Sequence, residues 1–267
     1  MKIFNNYTFL CSIIFFIFVP LKTNASLSIS PAFLHIDLSK TNPSGTFTVT
    51  NLSNIDQTYR ARSMHFEIST SGSIVPIEPD EFSLAKAIKF NPKEFTLPAK
   101  SKRKIRFTII NRNLRDAKEY WGAIEFTPLK TFSMKAQDRE GHSMNVTVIS
   151  RILVPIYGMG KEVEFKGTVA SLMGVKINDA VSLTGQVSNE GDGVLRLSGG
   201  WSIYQKGMKE LLYSVPVKKF VVLPQSKRNI KALLDNKLNH GEYDIILDLT
   251  EQRSDERVMN RGVFSIE

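Results

Sequence analysis

The chain has 267 residues, 42% of them apolar and 23% charged, which is enough to fill one large domain or two sandwich-sized ones and excludes a disordered chain. Its single cysteine, Cys11, excludes a disulfide scaffold. The formal net charge of +9 favours solubility and acidic partners without dictating a fold.

Residues 1–25 differ from the rest: Lys2, an apolar run from Phe9 to Val19, Pro20, and small residues leading to Ala25. This pattern predicts a secretory signal peptide cut after Ala25, because an apolar core of about 11 residues falls short of the roughly 20 that span a bilayer. Cys11 lies inside that segment, so the mature chain has no thiol, and the cysteine sits too early for lipid attachment. Without Lys2 and Lys22, 33 basic and 26 acidic residues remain, a net charge of +7.

The next stretch, 26 to about 158, reads as short strands. Leu27 and Ile29 share one parity, and Leu34, Ile36 and Leu38 take the other after Pro31, which predicts a strand that crosses between two sheets at the proline. The turn Asn42–Gly45 precedes strands around Phe47–Val49 and Gln57–Ile68. Residues 69–87 read as irregular, with at most a short helix near Ser83–Ala87. Further strands follow at 88–90, 95–97, 105–109 and 120–126. A long loop is expected from Lys130 to Gly141, and one continuous strand from Ser143 to Tyr157. About seven short strands with Pro, Gly and Asn punctuation predict an immunoglobulin-like β-sandwich.

Leu97-Pro98-Ala99-Lys100-Ser101-Lys102-Arg103 recurs, one residue shorter, as Leu223-Pro224-Gln225-Ser226-Lys227-Arg228, and Tyr120 has a counterpart in Tyr243. The repeat predicts two tandem β-sandwiches, an all-β protein with an immunoglobulin-like domain at 26–158 and an immunoglobulin or fibronectin-like domain at 161–267. Both tyrosines open a strand after a turn and are expected to be tyrosine corners. Trp201 is expected in the second core.

His35, His65, His142 and His240 are scattered without metal spacing, and no Cys pair, phosphate loop, HExxH or GxSxG pattern occurs. An enzyme, a metal and a cofactor are therefore not expected. The basic run Lys100–Lys104 lies in a turn without interleaved aromatics, which argues against nucleic acid.

Ile29-Ser30-Pro31, Val49-Thr50-Asn51, Asn91 through Pro98 followed by Ile105-Arg106, Glu119-Tyr120, and Arg151-Ile152-Leu153-Val154-Pro155-Ile156 occur in an order that resembles the periplasmic chaperones of the pilus chaperone-usher pathway. The resemblance covers roughly residues 26–157. It implies a two-domain, non-enzymatic periplasmic protein that caps incomplete pilus or surface-fibre subunits by lending its seventh strand. It also implies an outer-membrane usher as a partner and no membrane insertion after signal cleavage. Carried to this chain, it assigns Met144, Val146 and Val148 to subunit-strand binding, with His142 at the loop end, and Arg151 to anchoring the subunit's terminal carboxylate. An extended peptide gains main-chain hydrogen bonds from such a strand and specificity from alternate side chains. The resemblance departs at Phe33, which stands where the family has a second cationic anchor. The other reading is a two-domain surface or scaffold protein that keeps the fold without the chaperone role.

Overall fold

The computed structural model describes residues 27–110, 114, 118–130, 132–137, 143–235 and 238–267. The expected signal peptide and His142 lie outside them.

The first sandwich packs two sheets. One has the order β1-β3-β8-β6, formed by Leu27–Ser30, Ser44–Asn51, Lys102–Ile109 and Ile88–Phe90. The other has the order β2-β12-β9-β4-β5, formed by Leu34–Asp37, Ile152–Met159, Glu119–Pro128, Gln57–Ile68 and Ile74–Ile77, with β7 (Glu94–Leu97) also on β4. The chain changes sheets at Pro31, as the parity flip predicts: β1 pairs with β3, and β2 runs parallel to β12. Phe47, Tyr59, Phe107, Ile124, Phe126 and Ile156 fill the space between the sheets.

β9 is buried at every position from Glu119 to Phe126. Tyr120, Ile124 and Phe126 face the first core, while Trp121 and Ala123, on the opposite parity, enter a separate cluster outside the sandwich. A strand covered on both faces in this way carries an almost continuous apolar sequence.

Four expectations are corrected here. Residues 83–87 hold no helix: Ser83 bridges to Trp121, and 85–87 form a turn in which the N–H groups of Ala87 and Ile88 donate to the Leu84 carbonyl. Residues 74–77 are a strand on β4, a short segment whose Pro76 hid the signal. Phe132–Gln137, within the expected loop, is strand β10, and it pairs with β11 (Ser143–Val148) as a two-stranded sheet. The expected continuous strand from 143 to 157 is interrupted at Ile149–Arg151, so β11 and β12 are separate elements and their parities do not run through.

The second sandwich packs a three-stranded sheet, β13-β14-β17 (Gly167–Ile177, Ala180–Asn189, Lys227–Leu234), on a four-stranded sheet, β16-β15-β18-β19 (Leu211–Val222, Leu195–Gln205, Gly241–Glu251, Arg257–Ile266). Trp201 is wholly buried in its core, as expected. The repeated turn is built alike in both sandwiches. Lys100 and Gln225 take φ of 58° and 57°, and the buried side chains of Asn51 and Asn189 donate to strand-end carbonyls, Leu97 and Pro98 in one case and Gly193 and Val222 in the other. Tyr243 donates to the Asn239 carbonyl at 3.0 Å, the hydrogen bond expected of a tyrosine corner.

Candidate functional site

The outer face of the β2-β12-β9-β4 sheet carries the chemistry. Register aligns Tyr157 with Trp121, Pro155 with Ala123 and Leu153 with Glu125, and Arg62 with Glu125 on the other flank. One end of this face is sealed by the second sandwich. Val194 and Leu223 join Met64, Phe66, Phe82, Trp121 and Tyr157 in an apolar cluster, where the Trp121 ring stacks on Phe82 at 5.2 Å and donates its indole N–H to the Phe66 carbonyl at 2.7 Å.

Beside that cluster lies a buried ionic network. The fully buried Glu119 carboxylate accepts from the Val194 N–H at 2.8 Å, from Arg196 Nη2 at 2.8 Å and from Arg253 Nη1 at 3.0 Å. Arg253 Nε also reaches Glu251 at 3.2 Å, so two carboxylates meet two guanidiniums. Burial alone would raise the Glu251 carboxyl, but the backbone N–H groups of Arg253 and Ser254 hold it below the usual carboxylate range. Each guanidinium also lies over a ring, Arg196 over Tyr157 at 4.8 Å and Arg253 over Phe165 at 4.3 Å. Glu119 belongs to the first sandwich and both arginines to the second, so the network fastens one to the other.

Next to the network the face opens into a cleft of about 290 Å³, lined by Phe33, Pro155, Tyr157, Arg196, Lys219 and Gln252 among others. His35, exposed on β2, lies beside it with Nδ1 3.2 Å from Arg196 Nη2 and its ring 5.6 Å from Tyr157. Burial, and after it the Arg196 charge, lowers this imidazole from its ordinary value of 6.5, while burial pushes the Tyr157 hydroxyl up to about 12. Both groups therefore stay neutral in the cleft at neutral pH.

The described residues singled out from sequence fall into three places. Met144, Val146 and Val148 are on β11, opposite Ala136, Met134 and Phe132 of β10. Arg151 lies just before β12, half exposed, with Nη1 3.6 Å from Glu125 Oε1, and Arg62 bonds the same buried carboxylate. Phe33 is 53% exposed at the cleft mouth, edge-on to His35. Arg151 and Pro155 are four residues apart along the same face, about 13 Å of extended chain. Sequence reasoning missed Glu119 as an anchor, together with Arg196, Arg253 and Glu251. The only available signal was an acid adjoining Tyr120, and its partners lie far off in the chain.

No family model matches the chain, and no curated protein matches it. Solved structures do. A chain of the chaperone–tip adhesin complex of CFA/I fimbriae biogenesis is 13% identical, with 89% of this chain and 98% of that chain covered and a TM-score of 0.48. The class 5 fimbriae chaperone CfaA is 14% identical over 90% of this chain and 100% of that chain, TM-score 0.46. The E. coli chaperone DraB is 12% identical over 91% of this chain and 98% of that chain, TM-score 0.43.

Proposed function

We propose that the protein is a periplasmic assembly chaperone that caps an incomplete pilus or surface-fibre subunit by pairing β11 with it. One observation carries this reading: among the described residues β10 and β11 pair only with each other, so the two-stranded sheet that extends β9 and β12 has unpaired edges. A two-stranded sheet alone is marginally stable, and an open edge is a template for another strand. A subunit that lacks a strand has the complementary need.

In this reading Met144, Val146 and Val148 are the apolar row offered to the subunit. Arg151 holds the subunit's terminal carboxylate, and Arg62 supplies a second guanidinium at the same spot, so an incoming carboxylate meets two cations against the one resident Glu125. The Glu119 network supports the reading by fixing the second sandwich against the sheet from which the donor hairpin extends. The two sandwiches are the domains 26–158 and 161–267, the segment 1–25 directs export, an usher receives the complex, and no catalytic step is involved.

The test is capture. The mature protein purified from an envelope fraction should carry a fibre subunit, and Arg151→Ala should weaken that capture without lowering the melting temperature. A stable Arg151→Ala protein with undiminished capture removes the anchor assignment. A protein that never carries a subunit removes the chaperone reading.

A further inference from the structure

The second sandwich is open along one side. β16 and β17 are edge strands of its two sheets, and between them runs a groove of about 520 Å³. In a closed sandwich the inward rows of both strands would be covered. Here Val215 and Val217 of β16 and Ala232 of β17 pack on the core yet are only half-buried, and Leu233 at the rim is 58% exposed.

The free edge of β17 already accepts a neighbour. At one end of the groove the β4–β5 turn of the first sandwich approaches, and the Asn229 N–H donates to the Thr70 carbonyl at 2.8 Å. That turn needs its glycine: Gly72 has φ of 95°, and a Cβ there would collide with the Arg228 guanidinium. Main-chain groups alternate sides along a strand, so Lys231 and Leu233 direct theirs to the same edge as Asn229, where β17 has no strand partner among the described residues. The rung made by Thr70 therefore stops where the open edge begins.

Charge identifies the occupant. Lys218, Arg228 and Lys231 line the groove, and no carboxylate does. Among the described residues none of the three has an acidic partner, although Arg228 is half-buried, held by the Val221 carbonyl at 3.0 Å and lying 5.5 Å from the Phe220 ring centre. A second copy of this basic chain would bring more positive charge to the groove. An acidic strand would instead pair it.

We propose that the opening between β16 and β17 is a docking site for an extended acidic segment of a partner protein. The segment adds a strand to β17 beyond Asn229, places alternate apolar side chains between Val215, Val217 and Ala232, and sets its carboxylates against Lys218, Arg228 and Lys231. The site is independent of β11, so it stands or falls apart from the chaperone reading.

The test uses the full mature chain and two capped peptides of about ten residues, one alternating Glu and Val and the other Lys and Val. The Glu peptide should shift the backbone amide resonances of Lys231 and Leu233, and its affinity should fall as salt rises. The exposed pair Lys218→Glu with Lys231→Glu, checked for an unchanged melting temperature, should weaken it roughly tenfold and strengthen the Lys peptide. Equal binding of the two peptides would overturn the proposal, as would no binding at a concentration on the order of 1 mM. Resonance shifts confined to another surface would also overturn it, and so would sedimentation showing a dimer whose interface covers these amides.

Discussion

Glu119 shows how one residue can hold two sandwiches together. Its carboxylate is wholly buried, and its guanidinium partners come from residues 77 and 134 positions further along the chain. Burying the charges costs several kcal/mol per ion, and only the complete set of partners offsets that cost. Glu119→Ala strands Arg196 and Arg253 without their shared anion and should cost about 3 kcal/mol or more in urea unfolding; a loss below about 0.5 kcal/mol, the range of a plain surface substitution, would contradict the network. Tyr243→Phe removes one hydrogen bond and should cost about 1 kcal/mol by the same measurement. His35 adds a pH dependence of known sign. Its folded pKa lies below 6.5, so as pH falls the unfolded chain takes up its proton first. Stability is therefore withdrawn in the window just below 6.5 and unaffected by this group above it. A histidine resonance titration should give a midpoint under 6.5, and His35→Gln should flatten the acid decline; a midpoint above 6.5 would contradict this direction.

At the scale of elements, the sequence is legible where local chemistry decides. The flip of apolar parity at Pro31 announces the change of sheet, and the repeated Leu-Pro turn announces two sandwiches with matching left-handed residues at Lys100 and Gln225. It is illegible where pairing is remote. β10 carries Lys135 and Gln137 among its six residues and reads as loop until β11 is set beside it, and β5 is obscured by Pro76. The β11–β12 break at Ile149–Arg151 was hidden because the stretch from Met144 to Ile156 is dense in β-branched residues on both sides of it. Of the candidate site, Arg151 is singled out by the family resemblance alone, whereas the Glu125 carboxylate it shares with Arg62 depends on a register between β4, β9 and β12 that no short window contains. For β11 the prediction is that Met144→Glu with Val146→Glu leaves the melting temperature within about 2 °C of the parent, since an open edge tolerates charge. A large drop would mean that these side chains belong to a core.

For the whole molecule, the two sandwiches are joined by the Val194–Leu223 cluster and the Glu119 network, and β9 and β12 lead from this fastened region to the β10–β11 pair, whose outer edges have no strand partner among the described residues. A rigid base and an open strand are what capture of an extended partner requires, because ordering entropy is then lost mainly by the partner. The most direct measurement is amide hydrogen exchange on the protein purified with its captured subunit, compared with the protein alone. The account predicts new protection at alternate amides of Ser143–Val148, absent from the Met144→Glu, Val146→Glu protein. Protection gained elsewhere while these amides exchange as in the free protein would contradict it.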